Sequence, residues 1–156
     1  MQRRMFVLGT MVLSFAVSPA LAADVFSGNW KINLAKSKYE PANLAPKSGT
    51  SKIEAIEGRL KFTNDGVNAA GAATHNEWSG TFDGKDNPVT GDPTRDTAAL
   101  KRIDDYTYEI TNKKAGKVVS TSRTAYSRDG KTRTLTTQGT NAQGIKFNNT
   151  VVYDKQ

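Results

Sequence analysis

The sequence predicts an all-β protein, folded as one antiparallel up-and-down β-barrel of about eight to ten strands. Short runs of alternating apolar and polar residues recur along the chain, and no long amphipathic helix interrupts them. The first run contains Gly28-x-Trp30, where a large indole can close one end of a barrel. A two-sheet sandwich is the alternative arrangement of the same hairpins. The hairpins are marked by the turn dipeptides Asp65-Gly66, Asp83-Gly84, Ala115-Gly116 and Asp129-Gly130.

The first residues have the features of a secretory signal peptide. Arg3 and Arg4 precede an apolar run that ends in a small-residue cleavage site at Ala22. The run is shorter than the ~20 residues that a membrane span needs. We therefore predict a signal peptide at residues 1–22 and a single barrel domain at residues 23–156, located in the periplasm or secreted.

The cysteine content and the distribution of charge indicate how the chain is stabilised and which binding partners it is expected to have. The chain has no cysteine, so we expect sheet closure and packing to stabilise it without disulfides, which suits a bacterial periplasm. Its formal net charge is +7, but the lysines and arginines are scattered along the strands. Scattered charges favour a solvated surface over a polyanion site. We expect a monomer with no nucleic-acid partner and no membrane span.

The strands follow from the alternation of side chains between turns. Pro41 and Pro46 predict an irregular connection after the first strand. The stretch 85–93, with Pro88 and Pro93, predicts a shaped loop. The candidate strands, about nine in number, are 26–32, 50–56, 59–64, 74–82, 97–103, 106–113, 117–127, 131–139 and 145–154.

Two strands have faces rich in small polar residues. The strand 117–127 places Ser120, Ser122 and Thr124 on one face, and the strand 131–139 has alternating threonines. Because serine and threonine suit either side of a sheet, each face points either into the barrel or to solvent. If such a face points inward, it leaves space for one small ligand.

The inventory of reactive side chains is small. His75 is the only histidine and there is no cysteine, so a zinc or copper site would need carboxylate ligands, which suit those ions poorly. No nucleophile elbow, phosphate loop or dinucleotide motif is present. Carboxylate pairs such as Asp104 and Asp105 fall at turns, where aspartate supports backbone hydrogen bonds. We predict no catalytic residue, no metal and no cofactor.

The motif Phe26-x-Gly28-x-Trp30-Lys31 resembles the opening strand of the calycins, the lipocalins and fatty-acid-binding proteins. A wider set of motifs resembles small secreted bacterial lipocalin-like proteins of unassigned function. That resemblance implies a barrel with an interior ligand site. In fatty-acid-binding proteins an Arg and a Tyr from late strands hold the ligand carboxylate; Arg123 or Arg133 with Tyr126 would correspond here. The motifs are Trp30-Lys31-x-Asn33-x-x-Lys36-Ser37-Lys38-Tyr39, Asp83-Gly84-Lys85-Asp86-x-Pro88-Val89-Thr90-Gly91, Leu100-Lys101-Arg102-Ile103-Asp104 and Gly139-Thr140-Asn141-Ala142-Gln143-Gly144.

These observations predict a non-enzymatic, lipocalin-like protein that binds a small apolar or amphipathic molecule inside its barrel. The alternative is an envelope interaction protein or inhibitor that acts through loops at 35–48 and 85–95. The candidate ligand-binding residues are Trp30, Phe62, Trp78, Tyr108, Arg123, Tyr126 and Phe147.

Overall fold

A computed structural model describes residues 25–156, which form a closed barrel of ten antiparallel strands. Each strand pairs with its neighbours in sequence, and the last strand pairs with the first. The predicted up-and-down barrel is thereby confirmed, since the sheet closes on itself and forms no second layer. The predicted signal peptide, residues 1–22, lies outside the described residues. The strands are β1 Gly28–Ile32, β2 Ser48–Ile56, β3 Arg59–Val67, β4 Ala73–Thr81, β5 Asp83–Thr90, β6 Thr97–Asp104, β7 Thr107–Lys114, β8 Lys117–Tyr126, β9 Thr132–Thr140 and β10 Lys146–Lys155.

The strand that the sequence did not predict is β5, and the prediction of a loop over this stretch was wrong. Val89 donates its backbone amide to the carbonyl of Asp96, toward β6. Successive residues of a strand point their backbone N–H groups to opposite sides, so the nitrogen of Pro88, next to Val89, faces β4. Within the described chain, β4 pairs with β5 through Glu77 and Trp78 alone. The missing N–H of Pro88 therefore leaves no ladder bond unmade.

The connection between β1 and β2 is irregular, as the prolines predicted. It contains two 3-10 helices, Leu34–Lys36 and Ala42–Leu44. Between them Lys38 forms a bridge with Thr150 of β10, which extends the seam beyond the end of β1. Among residues 25–156 no helix has the length and apolarity to cross a bilayer.

The register of the strands determines which side chains point into the barrel. Thr124 is 1% exposed and Ser122 is 5% exposed, so the serine and threonine face of β8 points inward. Arg133 of β9 faces Tyr126 in the register and is 4% exposed. Because neighbouring residues of a strand point to opposite faces, the alternating threonines 132, 134 and 136 lie outside.

Aromatic rings fill one end of the barrel, where β1 begins and β8 ends. The ring of Phe26 packs edge-on against Tyr126 at a centroid distance of 5.1 Å, and that of Trp30 does so at 5.3 Å. Phe26, Trp30 and Tyr108 are at most 1% exposed. Large rings packed in this way supply much of the burial in a small core. Side chains therefore fill the interior at this end of the barrel.

Candidate functional site

A cavity of about 310 Å³ occupies the barrel beyond the aromatic core. Its lining extends from Tyr108 and Arg133 beside the core to Pro46 and Asn68 in connections at the opposite end. This volume lies at the lower end of the range for small-molecule sites, ~300–1,000 Å³. The barrel interior is thus only partly filled by side chains.

The middle of the cavity is apolar. Phe62 and Trp78 are neighbours across β3 and β4, and their rings stack at 4.3 Å with an angle of 5° between the planes. Ile110 and Leu135 line the cavity at other strands. Flat aromatic rings and branched side chains provide contact for the apolar part of a ligand.

Arg133 places a guanidinium beside the aromatic core. Its Cζ lies 4.0 Å from the centre of the Tyr153 ring and 5.7 Å from that of Trp30. Its Nε has no hydrogen-bond partner among the described residues, although it is fully buried. The titratable groups that act on it are tyrosines, and no Asp or Glu in residues 25–156 forms an ion pair with it.

A buried cation without a counter-charge is costly, by several kcal/mol. The aromatic rings offset part of that cost, ~0.5–2 kcal/mol for each close contact. Burial disfavours the charged guanidinium of Arg133, but interactions with Tyr108, Tyr126 and Tyr153 outweigh this and raise its pKa. Because an arginine side chain in a protein does not lose its proton near neutral pH, Arg133 is charged.

Burial favours the neutral form of two tyrosines beside Arg133, Tyr126 and Tyr153. Burial raises the pKa of Tyr126 well above its usual value, and the neighbouring Tyr108 adds to this while Arg133 opposes it. Burial also raises the pKa of Tyr153. The hydroxyls of Tyr108 and Tyr126 lie 3.2 Å apart and share a hydrogen bond. This layer of the barrel consequently carries the unbalanced positive charge of Arg133.

A second polar group lies further out in the cavity. Asn64 donates from Nδ2 to Oδ1 of Asn76 at 2.9 Å, and Arg95 donates from Nη2 to the same oxygen at 3.3 Å. Arg95 also donates from Nη1 to Oδ1 of Asn112. Its Nε donates to Oδ2 of Asp92 at 2.9 Å. These bonds hold the Arg95 side chain inward from the connection between β5 and β6, with its charge balanced by Asp92.

The structure places five of the seven predicted site residues inside the barrel. Phe62, Trp78 and Tyr108 line the cavity, whereas Trp30 and Tyr126 lie in the aromatic core next to it. A ligand-binding role for these residues stays a prediction.

Arg123 and Phe147 lie elsewhere. Arg123 is exposed on the outer face of β8, because its sequence neighbours Ser122 and Thr124 point inward. Of the two arginines that the sequence offered as partners of Tyr126, Arg133 lies inside the barrel and Arg123 does not. A ligand-binding role for Arg123 stays a prediction. Phe147 is partly buried and lines a separate groove with Val119, near the end of the barrel opposite the aromatic core.

Several cavity residues were missed in the sequence. Asn64 lies two residues after Phe62 in β3, so the alternation that identified Phe62 also placed Asn64 inward. Arg95 gave no such signal, because it lies in an irregular connection where side-chain direction has no period. Among residues 25–156 no group of three or more His, Cys, Asp or Glu side chains could hold a metal ion.

No protein-family model matches the chain, and no curated protein sequence matches it. Among solved structures, it is similar to the zebrafish ileal bile acid-binding protein crystallised with cholic acid. That likeness has a TM-score of 0.50 and 14% identity, and it covers 85% of this chain and 99% of the other. A de novo designed fluorescence-activating β-barrel matches with a TM-score of 0.44 and 11% identity over 86% of this chain and 97% of the other.

At these identities the likeness concerns the fold alone. The chain has a calycin-like fold, a closed antiparallel β-barrel of ten strands. In this barrel one end is filled by aromatic rings, and the remaining interior contains a buried arginine.

Proposed function

We propose that the protein binds a small amphipathic organic anion in the barrel, with Arg133 contacting the acid group. The observation that carries this proposal is that Arg133 is charged, 4% exposed and without an acidic partner, and that it lines a cavity of about 310 Å³. A site with one unbalanced charge is complementary to a ligand that brings the opposite charge.

A carboxylate or sulfonate would supply what Arg133 lacks. The guanidinium fork matches two anionic oxygens, and charge-assisted hydrogen bonds are about twice as strong as neutral ones. The apolar body of the ligand would contact Phe62, Trp78 and Ile110. The zebrafish protein of similar fold was crystallised with an acid, cholic acid, which supports the choice of an organic acid.

The test compares an acid with a neutral analogue of the same length. Octanoate and octanol would be titrated while fluorescence is followed, because Trp78 lines the cavity and the chain has two tryptophans. We expect octanoate to bind at least tenfold more tightly than octanol. Isothermal titration calorimetry would confirm the stoichiometry.

Two arginine variants make a matched pair for this experiment. Arg133→Gln removes the buried charge and should lose the preference for octanoate. Arg123→Gln removes the same charge from the exposed outer face of β8 and should keep it. Tight octanoate binding by Arg133→Gln would show that the acid group is held elsewhere.

We further propose that the protein is exported, non-enzymatic and monomeric. The basic and apolar N-terminal sequence supports export, and Phe26 is fully buried three residues after the predicted mature N-terminus, Ala23. N-terminal sequencing of protein recovered from the periplasm or medium should begin at Ala23. Recovery of uncleaved chain from the cytoplasm would contradict export.

Size-exclusion chromatography with light scattering tests the oligomeric state, and we expect the mass of a single chain.

The alternative of an interaction protein has less support. It relies on loops at 35–48 and 85–95; the first stretch is irregular, but residues 85–90 of the second belong to strand β5.

A further inference from the structure

The outer polar group of the cavity points to a more specific ligand. We propose that the ligand carries a second, uncharged hydrogen-bonding group, such as a hydroxyl or an amide, at the end remote from its acid. This inference rests on the proposed function, because it takes Arg133 as the position of the acid.

The register places the two polar regions apart. Arg133 faces Tyr126 and Tyr153 beside the aromatic core. On β7 and β8, Asn112 faces Ser120, and the next inward pairs toward the core are Ile110 with Ser122 and Tyr108 with Thr124. The cavity is therefore polar near the core, apolar in the middle and polar again toward its outer end.

Two of the three asparagines have unused hydrogen-bonding groups. Oδ1 of Asn76 accepts from both Asn64 and Arg95, but Nδ2 of Asn76 donates to no group within residues 25–156. Likewise Oδ1 of Asn64 accepts from no described residue. Both side chains line the cavity. Asn112 differs, because both ends of its amide have partners: Oδ1 accepts from Arg95, and Nδ2 donates to Oγ of Ser120.

A donor and an acceptor on adjacent side chains match a hydroxyl or an amide. A ligand hydroxyl can accept from Nδ2 of Asn76 and donate to Oδ1 of Asn64. A plain alkyl tail would instead displace water from both amides and leave them unpaired, which weakens binding. Sites built around such groups reject ligands that lack them.

The second group of the ligand is uncharged because the charge at this end is already balanced. Asp92 pairs with Arg95 at 2.9 Å, and both side chains are largely buried, 17% and 14% exposed. A second carboxylate on the ligand would find the charge of Arg95 already neutralised by Asp92. The negative charge of Asp92 would also repel this carboxylate. A diacid is therefore expected to bind less well than a hydroxy acid.

The experiment uses paired ligands on the full-length mature protein. Calorimetry and tryptophan fluorescence are used to compare three plain acids with the hydroxy acids of the same length. The plain acids are hexanoate, octanoate and decanoate, and the hydroxy acids are 6-hydroxyhexanoate, 8-hydroxyoctanoate and 10-hydroxydecanoate. At the best-fitting length we expect the hydroxy acid to bind about tenfold more tightly than the plain acid. Octanedioate serves as the charged comparison.

Variants locate the effect. Asn76→Leu should abolish the advantage of the hydroxy acid while leaving the plain acid bound at least as tightly. Asn64→Leu should do the same, which covers the case in which one variant fails to fold. Asn148→Leu replaces an exposed asparagine on the outer side of β10 and should change neither affinity.

The outcomes separate this inference from the function on which it rests. Plain and hydroxy acids that bind equally at every length would overturn the inference and leave the binding of organic anions intact. Tighter binding of octanedioate would overturn the uncharged second group. If the folded protein bound no acid of either kind, the proposed function would fail and the inference with it.

Discussion

The guanidinium carbon of Arg133 lies 4.0 Å from the centre of the Tyr153 ring, with the ring of Trp30 at 5.7 Å. Aromatic faces attract a cation and restrict its position without neutralising its charge. The rings thus hold the Arg133 side chain in place, which under the proposed function would lower the entropic cost of binding an anion.

Replacing Arg133 with an apolar residue should stabilise the free protein or leave its stability unchanged. In Arg133→Met the unpaired buried charge is removed, and we expect the free energy of unfolding to rise by ~0–2 kcal/mol. Urea denaturation measures the change. Arg123→Met on the outer face should shift it by no more than about 0.5 kcal/mol. A loss of more than ~2 kcal/mol in Arg133→Met would mean that the arginine is chiefly structural.

Trp30→Ala should cost ~3–5 kcal/mol of stability, because the ring is 1% exposed and packs against Tyr126. Val118→Ala is the comparison, since Val118 is 59% exposed, and it should cost at most about 0.5 kcal/mol. Thermal and urea unfolding of both variants give the result. Equal stability of Trp30→Ala and the parent would show that the indole contributes little to the core.

Gly91 and Gly116 have the same left-handed backbone but different surroundings. Their φ angles are +78° and +75°. A Cβ at Gly91 would overlap the carbonyl oxygen of His75, whereas at Gly116 it would meet nothing within 4 Å. Gly116→Ala should cost about 1 kcal/mol from backbone strain, and Gly91→Ala clearly more, ~3 kcal/mol. Equal costs would mean that the connection after β5 moves freely away from β4.

The Asp92–Arg95 pair should make stability depend on acid pH. Burial opposes ionisation of Asp92, but hydrogen bonds from Thr94 and the charge of Arg95 outweigh it and lower the pKa of Asp92 below the usual 3.8. A lowered folded pKa gives stability that is present above pH 3.8 and is lost as the pH falls through the folded value. Asp92→Asn should therefore be less stable than the parent at pH 7, by about 1 kcal/mol, and the difference should shrink below pH 4.

Urea denaturation between pH 2.5 and 7, values that bracket the ordinary aspartate pKa, measures this difference. Thr94→Val keeps the carboxylate and removes the Thr94 hydroxyl, which donates to Oδ1 of Asp92 at 2.6 Å. It should give a smaller change of the same sign. A constant difference between Asp92→Asn and the parent across this range would contradict the ionic role of Asp92.

Most of the strands were predictable because the signals for them are local. Alternation located every strand except β5, but the turn predicted at Asp65-Gly66 was wrong, because both residues belong to β3 and pair with β4. The turn lies beyond them, where the backbone amide of Asn68 donates to the carbonyl of Ala72. Strand β5 was missed because a proline within a strand is tolerated when its nitrogen faces a side that needs no donor. That condition depends on the sparse pairing of β4 with β5, which involves residues distant in sequence from Pro88.

Which side chains share a face could be predicted from the amino-acid sequence, since a strand has a period of two residues. The sequence did not determine which face is inside where both are polar, as in β8 and β9. The choice of face depends on barrel closure, which places Arg133 between Tyr126 and Tyr153 in the register and leaves Arg123 in solvent. The cavity likewise depends on closure, since Arg95 from an irregular connection meets Asn76 and Asn112 from different strands.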